Sequence, residues 1–238
     1  MRKSMLKFAA MSVAMSATAM SAPAFAQDEA AEASGPITIS GGAAVVSDYR
    51  FRGVSLSDKD FAFQPYLTVS HESGLYAGVW GSNVAENLGE DVEVDLYAGF
   101  AGGDAVTYDI GATYYMYPGA SDLNYVELTG KLGTTVGPAT IGGQLSYVPS
   151  QDNTGNTDNI YVATNAAIAL PDSPITLTGS IGYEDGAFGD DKMDWSIGAT
   201  AAVSVFTLGV AYVDTNRRTT FAFEDSKAGV VFTLSYGF

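Results

Sequence analysis

The few side chains of this 238-residue chain that could perform catalysis surround its only histidine. His71, Glu72 and Ser73 place a base, a carboxylate and a hydroxyl in consecutive positions, and Ser70 precedes them. A nucleophilic hydrolase needs such groups, each oriented by a hydrogen bond to the next. Neighbouring strand residues point to opposite faces, however, and the segment has the composition of a tight turn, so a hydrogen-bonded turn histidine is favoured. A lipid-modifying enzyme that uses His71 stays open as an alternative, and no catalytic residue is assigned.

Metal-binding patterns are weak. The segment Asp152–Asp158 combines carboxylate, amide and hydroxyl groups as calcium loops do, but it lacks their terminal bidentate glutamate and their full spacing. Asp190 and Asp191 lie in a second acidic segment that is equally consistent with an ordinary solvated loop. The chain has no cysteine, so it can form no disulfide and no thiolate metal site. We therefore predict no metal site and no cofactor.

Charged residues within the predicted strands form the clearest polar pattern. When the outward face of each strand is set from its apolar residues alone, all six of these charges fall on the opposite, inward face. They are Glu93, Asp95, Asp109, Glu127, Lys131 and Asp194. We predict that they line a pore, in which five acids and one lysine favour cations mildly. The competing interpretation is that these charges pair with one another and seal the interior.

Basic residues gather in two predicted loops, the first long one and the last. Six of the eight basic residues that follow the predicted signal peptide lie there, namely Arg50, Arg52, Lys59, Arg217, Arg218 and Lys227. Because the first and last strands of a closed barrel pair, we expect these six to form a basic patch at the outer mouth. Local charge balance is the plainer interpretation; lipopolysaccharide binding or guidance of anionic solutes are the functional ones. If the first strand extends beyond Val46, Arg50 and Arg52 point into the lumen instead.

The elements that would position these residues are β-strands. From Pro36 onward, segments of alternating apolar and polar character are separated by turn formers. The twelve predicted strands are Ile37–Val46, Phe61–Ser70, Leu75–Ser82, Val92–Ala101, Val106–Tyr117, Asn124–Thr135, Ala139–Val148, Asn159–Ala169, Ile175–Tyr183, Asp194–Ala202, Phe206–Val213 and Ala228–Phe238. Short connections alternate with long ones such as Glu184–Met193, as periplasmic turns alternate with outer loops. The turn Val203–Val205 is the weakest part of the pattern because it lacks Gly, Pro, Asn and Asp.

The last predicted strand ends on large apolar side chains. Phe232, Leu234, Tyr236 and Phe238 share one face, and small or polar residues occupy the other. We predict that this strand faces lipid and closes a transmembrane antiparallel up-and-down β-barrel of about 12 strands. We also expect the barrel-assembly machinery to bind it. A soluble β-sandwich is the main alternative, whereas a lipocalin-like soluble barrel would carry its charges outside.

The N-terminal region predicts export to the outer membrane of a Gram-negative bacterium. Residues 1–26 combine a basic start, an apolar run and the cleavage pattern Ala24-Phe25-Ala26, which is typical of a signal peptide. We expect a flexible, acidic periplasmic leader at 27–35 and the barrel at 36–238. Loss of the three basic residues of the signal changes the formal charge from −16 to −19, which argues against nucleic acid as a partner.

Three segments carry a resemblance to a known family. SDYRFRGVS (residues 47–55), SHESGLYAGVWGSN (residues 70–83) and the closing SYGF resemble the proteobacterial Gcw_chp family, also described as TorF-family porins. The resemblance covers nearly all of Pro36–Phe238. It implies an outer-membrane barrel of porin type, with no established substrate and no assigned catalytic residues.

The predicted function is passive diffusion of small hydrophilic solutes through a porin-like channel in outer-membrane lipid, with a mild preference for cations. No enzymatic activity is predicted. The first alternative to the channel is the lipid-modifying enzyme that uses His71, and the second is a non-conducting structural or adhesive barrel that acts through its acidic loops and basic patch.

Overall fold

The structure is a computed structural model that describes residues 36–85, 91–216 and 227–238. Twelve strands form one closed antiparallel barrel, in which each strand pairs with the next along the chain and the last pairs with the first. The barrel strands are β1 (Ile37–Val46), β4 (Ala62–His71), β5 (Leu75–Asn83), β6 (Val92–Gly103), β7 (Val106–Met116), β8 (Tyr125–Val136), β9 (Ala139–Val148), β10 (Asn159–Ala169), β11 (Ile175–Gly186), β12 (Gly189–Val203), β13 (Phe206–Thr215) and β14 (Gly229–Gly237). Two short strands, β2 (Arg50–Phe51) and β3 (Val54–Ser55), pair only with each other. The predicted signal peptide and leader lie outside the described residues.

The predicted fold class, an all-β antiparallel barrel of twelve strands, is confirmed. The weakest predicted turn exists: Val203 pairs with Phe206, and Ser204 takes a positive φ of 57° between them. Such a residue supplies the local twist that a tight hairpin needs. The described residues contain no helix long and apolar enough to span a membrane.

The last strand closes the barrel against the first. The amide of Phe238 donates to the carbonyl of Gly41 at 2.8 Å, and the amide of Gly41 donates back at 3.0 Å. Phe232 on β14 and Phe238 directly after it point outward and are 61% and 70% exposed, while the alternate residue Val231 is buried inside. Leu234 and Tyr236 are exposed on the same outer face. Closure leaves no unpaired edge, which is the condition for a sheet to reside in a bilayer.

The outer surface of the barrel is apolar. Each of the twelve barrel strands exposes at least one large hydrophobic side chain on this face, whereas the charged residues of the strand bodies point inward. Exposed tyrosines ring the end with the long loops, namely Tyr114, Tyr147, Tyr183 and Tyr212. An apolar band edged by aromatic residues matches the cross-section of a bilayer and would be unfavourable in water. The chain is therefore a bacterial outer-membrane protein.

One predicted outer loop, Glu184–Met193, is wrong. β11 continues to Gly186 and β12 begins at Gly189, so only two residues connect them. The glycines and aspartates of this segment have the composition of a loop, but a register irregularity between Glu184 and Gly186 lets both strands continue. As a result, the side chains of Glu184 and Lys192 enter the barrel and are buried.

Inside the barrel, tyrosine rings lie over glycines of neighbouring strands. Tyr76 is paired in register with Gly99, and Tyr97 with Gly78. A Cβ at Gly99 would lie 2.5 Å from the hydroxyl of Tyr76 and 2.7 Å from the carbonyl oxygen of Ile110. Glycine is thus required where a ring crosses the neighbouring backbone.

The outward placement of β14 predicts the effect of a charge there. We expect Leu234→Arg to lower the free energy of unfolding by about 2–4 kcal/mol, because a charge near the bilayer midplane loses its hydration. Ser235→Arg, on the inward face of the same strand, should have a much smaller effect. Urea unfolding in lipid vesicles, followed by tryptophan fluorescence, measures both. An equal decrease in the free energy of unfolding of the two variants would contradict the assignment of Leu234 to the outer face and Ser235 to the inner face.

The tyrosine–glycine pairs predict a second stability difference. Gly99→Ala should lower the free energy of unfolding by about 1–3 kcal/mol, because the new methyl group meets both a ring and a backbone carbonyl. Gly130→Ala is the matched control, since a Cβ at Gly130 would meet nothing within 4 Å. The same unfolding assay applies, and equal midpoints for the two variants would argue against close packing at Gly99.

Candidate functional site

The first outer loop folds into the barrel. Its residues 48–57, here called the lumen hairpin, contain β2 and β3 and are buried except for the half-buried Phe51. Arg52 and Gly53 both have positive φ, at 48° and 86°, which is the requirement of the tightest two-residue hairpin turn. The hairpin therefore projects a compact, reversed tip into the lumen.

Apolar contacts hold one side of the lumen hairpin. Tyr49 is fully buried, and its ring centre lies 5.5 Å from that of Trp80 on β5. Val54 and Leu56 belong to the same buried cluster. The amide of Leu56 donates to the carbonyl of Tyr49 at 2.7 Å, and the amide of Tyr49 donates to the hydroxyl of Ser57 at 2.9 Å. The hairpin thus has an ordered backbone and a packed face of its own.

Arg52 joins the hairpin tip to two walls of the barrel. Its guanidinium forms ion pairs with Glu127 on β8 and with Glu184 on β11, the latter at 2.6 Å. The guanidinium carbon also lies 4.2 Å from the ring centre of Tyr161 and 4.6 Å from that of Phe51. A planar cation between two carboxylates and two rings is a geometry that arginine satisfies and lysine does not.

Lys192 completes this charge network. Its ammonium group lies 2.7 Å from a carboxylate oxygen of Glu184 and 3.9 Å from one of Asp194. It also donates to the backbone carbonyl of Arg52 at 2.7 Å. The side-chain amide of Asn159 donates to Glu184 Oε1 at 3.0 Å. The buried cations and acids of this region therefore have close partners, as burial of charge requires.

Arg50 makes a second, local ion pair. Its guanidinium lies 2.6 Å from the carboxylate of Asp48, which also accepts a hydrogen bond from Ser55 at 2.6 Å. Arg50 also donates to the backbone carbonyl of Lys227 at 2.9 Å, which links the first outer loop to the residues that precede β14.

The adjoining part of the wall, on β6 and β7, carries acids with fewer partners. Tyr49 donates to Glu93 at 3.3 Å, and Tyr76 donates to Asp109 at 2.7 Å. Lys131 is the direct cross-strand neighbour of Asp109. Burial raises the pKa of Tyr49, and the charges of Glu93 and Asp95 raise it further. The hydroxyl of Tyr49 accordingly stays protonated and acts as a donor.

The structure gives a position for most residues that the sequence singled out. Of the six predicted pore-lining residues, Lys131 is half-buried and the five acids are buried, all on the inward face. Of the predicted basic patch, Arg50 and Arg52 are buried in the lumen hairpin, and Lys59 and Lys227 are exposed. Arg217 and Arg218 lie outside the described residues. The six cations do not share one surface: two of them are internal, because ion pairs with interior acids stabilise them there.

Sequence reasoning missed two central members of the charge network, Glu184 and Lys192. Both were assigned to an outer loop. Glu184 has the same parity as the inward Gly182, and Lys192 has the same parity as Asp194. Both residues would have been found if the alternation of inward and outward side chains had been continued through the glycine-rich segment that joins β11 and β12.

The remaining candidate residues show ordinary local contacts. His71 is exposed; its Nδ1 lies 2.9 Å from the hydroxyl of Ser73 and accepts the Ser73 amide at 3.1 Å. In the segment Asp152–Asp158, the hydroxyl of Thr154 donates to the backbone carbonyl of Thr157 at 2.6 Å. No group of three or more His, Cys, Asp or Glu side chains in the described part of the chain is arranged to hold a metal ion.

The profile of one protein family matches residues 30–237. The chain belongs to the Gcw_chp family. This confirms the family predicted from the sequence, whereas the description as TorF-family porins stays a prediction. The Gcw_chp family is described as a bacterial protein of unknown function, so membership assigns no activity. No curated protein matches the chain.

Several solved structures resemble this Gcw_chp barrel in fold. A KdgM porin has a TM-score of 0.56 at 6% identity, over 84% of this chain and 98% of that one. A NanC porin has a TM-score of 0.53 at 10% identity, over 84% and 99%. The COG4313 outer membrane channel from Pseudomonas putida F1 has a TM-score of 0.52 at 10% identity, over 85% and 96%. At such low identity these likenesses establish the barrel fold alone.

The ion pairs of Arg52 predict how firmly the lumen hairpin is held. Arg52→Gln leaves Glu127 without its cation and leaves Glu184 paired with Lys192 alone. Loss of one partner of a buried ion pair lowers the stability of the structure that contains it by about 3–5 kcal/mol. We expect hydrogen-exchange protection of the Tyr49 and Leu56 amides to fall by about a hundredfold or more. Lys59→Gln, which removes an exposed cation from the same loop, should leave that protection unchanged. Unaltered protection in Arg52→Gln would show that apolar packing alone holds the hairpin.

Proposed function

We propose that this Gcw_chp protein is a channel for passive diffusion of small hydrophilic solutes across the outer membrane, with a mild preference for cations. The observation that carries the proposal is a closed barrel of twelve strands whose interior is lined by charged and polar side chains. An interior of this kind is unnecessary for a barrel that only anchors in lipid, and it is the usual lining of a water-filled pore. The fold shared with porins and channels supports the proposal without assigning a solute.

The width of the barrel limits the size of the solutes that can pass. Twelve strands enclose more room than eight, which side chains can nearly fill, and less than the sixteen of general porins. The lumen hairpin narrows the half of the barrel near the long loops, because its residues are buried against the wall. We therefore propose a constriction there that admits small solutes only.

The charge of the interior supports the preference for cations. Seven buried acids lie in the described part of the chain, against three buried cations and the inward Lys131, which leaves an excess of three negative charges. A ring of fixed carboxylates lowers the energy of a cation in a narrow pore and raises that of an anion.

A non-conducting barrel is the second candidate function. The burial of the lumen hairpin, with Tyr49 fully buried and Arg52 only 5% exposed, favours it. In that case the paired charges act as a plug, and the outer loops act as a structural or adhesive surface.

Three further proposals concern partners and chemistry. We propose that Lys59 and Lys227, together with Arg217 and Arg218, contact lipopolysaccharide phosphates, since basic side chains bind them well. We propose that the barrel-assembly machinery binds the strand ending at Phe238.

We propose no enzymatic role for His71: its Nδ1 is occupied by the Ser73 amide, which leaves it poorly arranged to act as a base toward Ser73.

Single-channel recording in planar bilayers tests the proposed function. We expect small, stable conductance steps from the folded wild-type protein. Deletion of residues 50–55, the β2–β3 segment, should increase the step size severalfold, because it opens the constriction. Lys59→Gln should leave the step size unchanged.

The same recordings separate the two candidate functions. Steps that are seen only after the deletion would favour the sealed barrel over the channel. A complete lack of steps in both proteins would contradict the channel proposal.

A further inference from the structure

We infer that Glu93 and Asp95 form a cation-binding pair beside the lumen hairpin, and that this pair sets the charge preference of the channel. The part of the inference that concerns permeation rests on the proposed function. The part that concerns binding does not.

The charges of the interior are unevenly compensated. Asp48 pairs with Arg50, Glu127 with Arg52, and Glu184 with both Arg52 and Lys192. Asp194 lies 3.9 Å from Lys192, and Asp109 is the cross-strand neighbour of Lys131. In contrast, no ion pair of Glu93 or Asp95 with a lysine or arginine is found among the described residues. Two of the three excess negative charges of the interior are therefore assigned to these two residues, and Glu184 and Asp194 share Lys192.

Glu93 and Asp95 are adjacent and deeply buried. They are two residues apart on β6, so both side chains point inward on the same face. Glu93 is 1% exposed and Asp95 is 5% exposed. One oxygen of each, Oε2 of Glu93 and Oδ1 of Asp95, has no hydrogen-bond partner in the described structure. A buried carboxylate oxygen without a donor is strongly unfavourable, which indicates a missing positive group.

The surroundings supply further oxygen atoms. The hydroxyl of Tyr49 lies 3.3 Å from Glu93 Oε1. Burial raises the pKa of Tyr117, and the charge of Glu93 raises it further, so this second hydroxyl near Glu93 also stays protonated. Carboxylate and neutral oxygens without sulfur or imidazole suit a hard cation such as Ca²⁺, which keeps water for its remaining positions. Two carboxylates match the charge of one divalent cation or attract monovalent cations in transit.

The position of the pair explains why it would control permeation. Tyr49 of the lumen hairpin contacts Glu93, so the pair lies beside the constriction, at the end of β6 near the long loops. A cation near the hairpin is attracted by the pair, while an anion is repelled by its excess negative charge.

Terbium luminescence tests the binding part directly. Trp80 and Tyr115 are the cross-strand neighbours of Asp95, and both can sensitise Tb³⁺, a probe for calcium-type sites. In the full-length folded protein in detergent, we expect a saturable Tb³⁺ emission that Ca²⁺ displaces. Glu93→Gln/Asp95→Asn should abolish this component. Asp104→Asn/Asp172→Asn removes two exposed acids from the opposite turns and should preserve it.

Reversal potentials in a KCl gradient test the permeation part. We expect the cation-to-anion permeability ratio of the wild type to exceed one and to fall to about one in Glu93→Gln/Asp95→Asn. The Asp104→Asn/Asp172→Asn control should keep the wild-type ratio. A ratio that is unchanged in Glu93→Gln/Asp95→Asn would overturn the assignment of selectivity to the pair.

The outcomes distinguish the inference from the function on which it rests. A wild type without conductance contradicts the proposed function and removes the permeation part, but the terbium result still decides whether the pair binds a cation. Equal terbium emission in wild type and Glu93→Gln/Asp95→Asn would overturn the site and indicate that the two carboxyls share a proton instead.

Discussion

A single guanidinium, bound between carboxylates of two strands of the wall, determines the arrangement of the barrel interior. Arg52 enters on the lumen hairpin and pairs with Glu127 of β8 and Glu184 of β11. Removal of charges from water is unfavourable by several kcal/mol per ion, and attraction offsets this only when partners are close and hydrogen-bonded. Lys192 has such partners: its ammonium group lies close to the carboxylate of Glu184 and donates a hydrogen bond to the backbone carbonyl of Arg52. The hairpin is thus held by charge pairing in addition to its packing on Trp80.

This arrangement divides the interior into two halves with different linings. Near the long loops, the hairpin and its partners fill the space and are buried. Toward the short turns, tyrosine rings lie over glycines on one side, and half-buried polar residues such as Gln144, Asn165 and Thr178 line the other. The carboxylates Glu93 and Asp95 therefore lie beside the constriction, in the half near the long loops. Size selection and charge selection would then act at the same depth.

The fold could be predicted from the sequence because a barrel wall is a local, two-residue repeat. Outward residues must be apolar in lipid, so parity alone assigns a face to Phe232, Glu93 or Asp109. The lumen hairpin could not be predicted in this way. Its position depends on contacts between Arg52 and residues 75 and 132 positions away, and no local pattern encodes them. The extension of β11 and β12 was missed because its glycines and aspartates have the composition of a turn.

The most direct test of this account is the chemical accessibility of the lumen hairpin. The chain has no cysteine, so Val54→Cys introduces a unique thiol in the hairpin, and Lys59→Cys introduces one in the exposed part of the same loop. We expect Val54→Cys to react slowly with a charged, membrane-impermeant thiol reagent and Lys59→Cys to react fast. Adding Arg52→Gln should markedly accelerate the reaction of Val54→Cys. Equally fast reaction of both thiols with Arg52 in place would show that the hairpin lies outside the barrel and would contradict the account.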